Sequence, residues 1–477
     1  MTDRRRLLQA ILRTDLTAFV ERCFVELEPV TPYRPNWHIA AITHQLERVA
    51  RGECRRLIVN VPPRSMKSIT VSIGFTAWML GKLPHTRIMA ISYAADLAQK
   101  LGADTRKILE SPWFSQTFPD FRIARATREE VATTANGYRL AGSVGGPILG
   151  RGADLIVVDD PINGLLAALS QAERRRVAEF YDNTLYGRLN DKTTGAIVIV
   201  MQRLHEDDLV GHVLAKDDWE VLSLPAVAVE DAEYRLGDLP HQVHRRRAGD
   251  LLHPDREPIE VLEALRRTFG TLNFSAQYQQ TPIPAEGNTV RREWFCHYDE
   301  RPPAFERTIC SWDTASTTEE TSDWSVGTVW GAIGETYYLL DVVRGRWQVP
   351  DLRRQIVALH RDHRADATVI EETDLGRAIA QDLRRTAELL PLLRPPRFDK
   401  LARLLAQSAR FEAGQVWLPR AAPWLGDYVA ELLAFPAGKH DDQVDSTSQA
   451  LHYLTAVSPK DRERPQSRPR PQGRPRR

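Results

Sequence analysis

A chain of 477 residues, 42% apolar and 27% charged, has the composition of a folded globular protein of about two or three domains, which excludes a small module, a fibrous repeat or wholesale disorder. Four cysteines, Cys23, Cys54, Cys296 and Cys310, stand far apart without a CxxC pair or His cluster, so neither a disulfide scaffold nor a zinc finger is expected. The formal charge of +1 hides a split, because residues 458–477 carry eight Lys or Arg against two acids, +6, leaving −5 for the rest.

The opening MTDRRRLLQAILRTDLTAF is charged throughout, and nowhere do about 18 apolar residues run together, so neither a signal peptide nor a membrane span is expected and a cytoplasmic location follows. Short β-branched runs then come in order: LIVNV (57–61), RIMAIS (87–92), LIVVDD (155–160) and AIVIV (196–200), with helical patterns between them. Continuous apolar strands alternating with helices predict an α/β domain with a mainly parallel, doubly covered sheet over 1–225. A charged stretch rich in proline and glycine, 226–290, reads as a subdomain or linker. Beyond it the order becomes three strands, TICSWD, WSVGTVWGAI and TYYLLDVVRG, a helix near 351–363, the strand ATVIEE and a helix near 375–390. The close spacing of the first three strands predicts antiparallel hairpins and a mixed sheet for a domain over 291–457. The Pro/Arg-rich end, 458–477, is expected to be a flexible basic arm.

Two constellations carry chemistry. The strand at 57–61, the loop Pro62-Pro63-Arg64-Ser65-Met66-Lys67-Ser68 and an apolar helix over 69–80 give the context of a phosphate-binding loop. There the backbone N–H groups face phosphates, with Lys67 for the β/γ oxygens and Ser68 for magnesium. Both glycines of that motif are absent, Val61 and Met66 standing in their places. The strand LIVVDD ends in Asp159, read as the magnesium residue, and Asp160, read as the base that activates the attacking water. Arg151, between Gly150 and Gly152, and Arg64, within the loop, compete for the role of arginine finger, in this site or a neighbouring subunit's.

The second set is acidic. Asp313 ends the first strand of the second domain, Glu371 sits at the end of ATVIEE, and Asp442 and Asp445, three apart in KHDDQVD, share one face of a helix. Asp441 is a close rival. Glu371 and Glu372 point to opposite sides of a strand, so only one faces the cluster. Carboxylates without His or Cys suit Mg²⁺ or Mn²⁺, and two such ions about 3.5–4 Å apart would serve phosphodiester cleavage.

Together PPRSMKS, GRGADLIVVDDP, QRLHEDDLVG, WDTAS, YYLLDVVRGRW, VIEET, FEAGQVWLP and FPAGKHDDQVDS, in order over about 35–455, resemble the large terminase subunit of tailed bacteriophages. The resemblance implies an N-terminal P-loop-type ATPase and a C-terminal ribonuclease H-like nuclease. It implies that ATP drives double-stranded DNA into a procapsid and that a metal-dependent endonuclease cuts the concatemer. Position by position, it places Pro63 to Ser68 and Asp159 at the nucleotide, Asp160 as the catalytic acid, Gln202-Arg203 as the coupling segment, and Asp313, Glu371, Asp442 and Asp445 in the nuclease. The implied partners are a portal protein, a small terminase subunit and further copies in a pentameric ring, in the bacterial cytoplasm and transiently at the portal. Departures from the family pattern fall at Met66, Gln202 and Leu204. The alternatives are a helicase-nuclease of repair or restriction and an inactive prophage relic that binds DNA or portal.

Overall fold

In the computed structural model the chain divides into two compact units, Met1–Ala285 and Glu286–Arg477. Residues 2–148, 150–283, 289–315, 324–438 and 440–456 are described, so the expected basic arm lies outside the described residues.

The first unit holds an eight-stranded sheet built from β1 (Arg56–Asn60), β2 (Arg87–Ser92), β3 (Ile123–Ala126), β4 (Glu130–Thr133), β5 (Tyr138–Ser143), β6 (Leu155–Asp159), β7 (Ala196–Met201) and β8 (Glu220–Ser223). Their order is β3-β4-β5-β2-β6-β7-β1-β8. From β5 to β8 every pairing is parallel, and β3-β4-β5 is antiparallel at one edge. Every residue of β6 and β7 is buried, which is why these strands read as unbroken apolar runs. One large core joins Phe19, Ile42, Trp78 and Phe114 from helices to Leu57, Val157 and Val198 of the central strands. The helix expected over 69–80 opens as a wide π-type segment, Ile69–Phe75, and tightens to an α-helix over Thr76–Lys82.

The region expected to be a subdomain or linker, 226–290, groups with the first unit in its described residues to 283. A hairpin of β9 (Ala232–Arg235) and β10 (Val243–Arg246) and the helix Ile259–Gln277 make it up. Leu252, Tyr234 and Leu236 join the main core, while Ala226, Leu262, Phe274 and Tyr278 form a small core of their own. Charge and proline mark its surface, but these apolar residues anchor it.

The second unit has a seven-stranded mixed sheet: β11 (Cys296–Tyr298), β12 (Arg307–Asp313), β13 (Ser325–Ile333), β14 (Thr336–Gly345), β15 (Ala367–Glu371), β16 (Leu392–Arg394) and β17 (Val416–Pro419). The order is β11-β17-β14-β13-β12-β15-β16, with β12-β13-β14 antiparallel, as the short spacings predict, and β15 parallel to β12. Successive residues of β12 feed opposite faces. Ile309 packs with Trp330, Phe411 and Tyr428, whereas Cys310 and Trp312 pack with Leu352 and Ile356. Helices therefore cover both faces. Among the described residues no helix is long and apolar enough to cross a membrane.

Candidate active sites

In the first unit the carboxyl ends of β1 and β6 carry the two halves of the nucleotide constellation. Both strands flank β7 in parallel, so the loop that leaves β1 and the acids that end β6 emerge at the same edge of the sheet. Lys67 is buried and its Nζ donates to Asp160 Oδ1 at 2.7 Å. Ser72 Oγ donates to Asp159 Oδ2 at 2.6 Å, and the Ser68 hydroxyl also faces Asp159. Lys67, Ser68, Asp159 and Asp160 thus come together as expected. Burial and then the Asp160 charge raise the Asp159 carboxyl to about 6, against the opposing pull of Lys67 and the serines. A carboxyl so disfavoured in its charged form, beside two hydroxyls, suits a divalent cation.

The missing glycines leave a trace in the backbone. Arg64 and Met66 hold φ of 61° and 59°, the left-handed region, at a cost of about 1–2 kcal/mol each for side-chain-bearing residues. The loop keeps this shape because its carbonyls are held from outside. Arg256 donates to Arg64 O and to Pro63 O (3.3 Å), and His38 Nε2 lies 3.4 Å from Ser65 O. Burial foremost, then His253, drives the His38 imidazole down to about 3, so it braces the loop as a neutral ring. Arg139 on β5 is fully buried and lies beside Asp159, with its guanidinium 3.4 Å from Ser72 O; burial lowers it to about 10. Sequence reasoning missed Arg256, His38 and Arg139. Only Arg139, an arginine in a strand, left a signal that could have been read.

The two finger candidates separate. Arg64 is exposed on the loop. Arg151 pairs with Glu130 and lies over the Tyr138 ring at 4.5 Å. Tyr138 starts β5 opposite Arg87, the first residue of β2, whereas Asp159 pairs with Ser92 at the other end of β2. Arg151 is therefore at the wrong edge of the sheet to serve its own chain's Lys67 and Asp159, which corrects that half of the expectation. Its flanking glycines have structural reasons: Gly150 has φ of 79°, and a Cβ at Gly152 would meet Asn190 Oδ1 at 1.9 Å. In the segment Gln202-Arg203, expected from the resemblance to couple hydrolysis to movement, Arg203 is held by Asp208 (2.9 Å) and its backbone N–H donates to Gln280 Oε1 (2.9 Å).

In the second unit the parallel register pairs Trp312 with Ile370, so the next residues, Asp313 and Glu371, leave the sheet side by side. The helix Asp442–Ala456 is fastened to β12 by Ser446 Oγ donating to Ser311 O (2.8 Å) and Gln449 Nε2 to Ser311 Oγ (2.9 Å). This brings Asp442 and Asp445 to that edge. All four acids line one cleft of about 390 Å³ with Lys400 and Arg403. Glu371, Asp442 and Asp445 are 7%, 3% and 2% exposed. Glu372 turns away to Arg377 (3.2 Å), leaving Glu371 in the cleft. Asp441 pairs with Lys400 (2.6 Å) at the rim.

Burial, then the charges of Asp445, Glu371 and Asp442, raises the Asp313 carboxyl well above the ordinary range. Burial lifts Asp445 to about 6 although Arg403 and Lys400 pull it down. Burial alone would lower Lys400, but Asp445 and Asp441 outweigh it and hold its ammonium charged. Repelling buried carboxylates, all hard oxygen donors, fit Mg²⁺ or Mn²⁺. Sequence reasoning missed Lys400 and Arg403, whose i, i+3 spacing on a helix was the available signal. Elsewhere His205, Glu206 and Asp207 form the one His/Cys/Asp/Glu group, among the described residues, whose ligand atoms all lie within 4.8 Å of one another. There His205 Nδ1 accepts the Asp207 N–H (3.0 Å) in a turn whose next residue, Asp208, caps a helix.

Comparison with known proteins agrees with this fold. Residues 310–454 match the family model of the terminase RNaseH-like domain. The large terminase of a thermophilic bacteriophage, in complex with ADP, superposes with a TM-score of 0.54, at 11% identity over 86% of this chain and 99% of that one. The same phage protein in complex with ATP-gamma-S gives 0.53, at 11% identity over 86% and 98%. No curated protein matches the chain in sequence. The second unit thus carries a terminase RNaseH-like domain, in a chain with the fold of phage large terminases.

Proposed function

We propose that this chain is a large terminase subunit that hydrolyses ATP in its first unit to translocate double-stranded DNA and cuts that DNA with metal-dependent endonuclease chemistry in its second. The observation that carries this reading is the convergence of two acid sets, Asp159–Asp160 beside Lys67 and Asp313–Glu371–Asp442–Asp445, each at the carboxyl ends of parallel strands in its own unit. The thermophilic phage terminase structures with ADP and ATP-gamma-S support ATP as the nucleotide. The partners on this reading are a portal protein, a small terminase subunit and further copies of the chain in a ring.

At the first site the loop over Pro63–Ser68 cradles the phosphates with its N–H groups, and Lys67 turns from Asp160 to the β/γ oxygens. Asp160, released, accepts the proton of the attacking water. Ser68 and Asp159 would hold Mg²⁺, which when bound offsets phosphate charge. Arg64 in this chain, or Arg151 offered to a neighbour, supplies positive charge to the γ-phosphate. At the second site Asp313, Glu371, Asp442 and Asp445 would hold the divalent metal, which when bound stabilises charge developing on the scissile phosphate. Trp324 N–H donates to Asp442 Oδ2 (3.2 Å) and so fixes that carboxylate's orientation.

The test is cleavage of supercoiled plasmid by the full-length protein with Mn²⁺ or Mg²⁺, beside Asp313→Ala and a chelator control. Metal-dependent nicking that the substitution abolishes is expected. Absence of cleavage by folded wild-type protein in either metal would overturn the nuclease half of the proposal.

A further inference from the structure

The helix Lys400–Glu412 puts two cationic side chains into the acid cleft, and they take over one carboxylate completely. Lys400 Nζ lies 2.8 Å from Asp445 Oδ2, and Arg403 Nη2 lies 2.8 Å from Asp445 Oδ1. Arg403 Nη1 also reaches Glu371 Oε1 at 2.9 Å, and Lys400 reaches Asp441 Oδ1 at 2.6 Å. The carboxylates are held open by these contacts. Among the described residues no three of the cleft's acids bring ligand atoms within 4.8 Å of one another, the spacing a shared ion would impose.

Five carboxylates line the cleft against these two cationic side chains, and one of them, Asp374, is fully exposed to solvent at its mouth. With the exposed Asp374 screened by water, the other four carboxylates exceed the two cations by two charges, which one divalent ion would balance and two would overshoot while Lys400 and Arg403 stay in place. An ammonium and a guanidinium at 2.8 Å from both oxygens of a buried carboxylate occupy the coordination space a metal would need.

We propose that Lys400 and Arg403 act as resident counter-cations that hold the second cation position of the cleft, so that the resting chain takes one divalent ion at Asp313, Glu371 and Asp442 and is kept from taking another at Asp445. Arg403 also has a release route. Its Nε is buried without a hydrogen-bond partner, so the guanidinium is incompletely satisfied where it sits and suited to move onto a phosphate oxygen. Lys400 and Arg403 are positioning residues: they act through the carboxylates they hold.

The inference rests on the metal-nuclease reading above, and the experiment separates the two. Free Mn²⁺ is followed by electron paramagnetic resonance as it is titrated into the nucleotide-free full-length protein, the wild type beside Lys400→Met, Lys400→Arg and Asp442→Asn. The expected result is one Mn²⁺ per wild-type chain that Asp442→Asn removes. In Lys400→Met a second ion appears, or the first tightens at least tenfold, and the melting temperature rises more steeply with added Mn²⁺. Lys400→Arg, which keeps the charge, behaves as wild type. If Lys400→Met binds Mn²⁺ no better than wild type while Asp442→Asn still abolishes binding, the counter-cation role is wrong and the metal reading stands. If no variant shows Mn²⁺ binding that depends on Asp442, the metal reading itself fails.

Discussion

The acid sites of the two units solve one problem with different parts. In the first, two carboxylates adjacent in sequence end a single strand, and their counter-charge, Lys67, belongs to the loop Pro63–Ser68 proposed to cradle phosphates. In the second, the carboxylates come from two strands and a helix, and their counter-charges, Lys400 and Arg403, come from another helix. The first arrangement is local, and its cation is expected to leave with every nucleotide bound. The second is assembled across about 130 residues, from Asp313 to Asp445, and its cations are seated by helix packing. The difference teaches that a buried carboxylate cluster needs a built-in partner, and that the partner's origin decides when it lets go.

The comparison breaks most visibly through activity. Lys67→Ala should reduce ATP hydrolysis to background while sparing metal-dependent plasmid cleavage, and Asp313→Ala should do the reverse, each by at least about a thousandfold. Loss of both activities in either folded variant would end the division of labour. A smaller effect concerns stability. Asp159 titrates near 6 in the fold against 3.8 ordinarily, so its ionisation opposes folding by about 3 kcal/mol at pH 8. The raised value means that its contribution is most favourable below pH 3.8 and is lost as pH rises through 6. Asp159→Asn should therefore raise the unfolding midpoint at pH 8 and much less at pH 4, in thermal melts of both proteins across that range.

Third in size is the brace on the phosphate loop. Arg256→Gln removes charge-assisted hydrogen bonds to Pro63 O and Arg64 O, worth about 1.5–3 kcal/mol together, and should raise KM for ATP by about tenfold or more with the fold intact. Plasmid cleavage should not change, because that brace serves only the first unit. Least is Met66→Gly. Relief of the left-handed strain is offset by loss of the side chain's packing against the core, so chemical denaturation should show a change under about 1 kcal/mol. A larger loss would mean that the Met66 side chain, rather than the loop's external braces, holds the phosphate loop in shape.

How much was legible follows the same divide. LIVVDD and PPRSMKS announce a site because strand, loop and acid are contiguous, and parallel pairing through β7 needs only that both strands be buried. The acids at 313, 371, 442 and 445 were legible as types at element ends. The own-chain role of Arg151 was not legible, because the glycines beside it answer to the backbone, Gly152 being pressed against Asn190, and Arg151 is tied to Glu130 at the far edge of the sheet. In the stretch after 225, charge and proline hid the few apolar residues, Tyr234, Leu236 and Leu252, that join it to the main core, and Leu262 and Phe274, which build a small core of their own.

The amino-acid sequence alone determined which strands are buried, where the turns fall and which residue types could carry charge at element ends, since these depend on side-chain period and on neighbours a few positions away. Only the tertiary structure decided that Arg256 and His38 hold the loop Pro63–Ser68, that Arg139 is buried beside Asp159, and that Lys400 and Arg403 sit on Asp445. Those are pairings across long stretches of chain, and a charge gives no sign in sequence of the distant, buried charge it will be brought to neutralise.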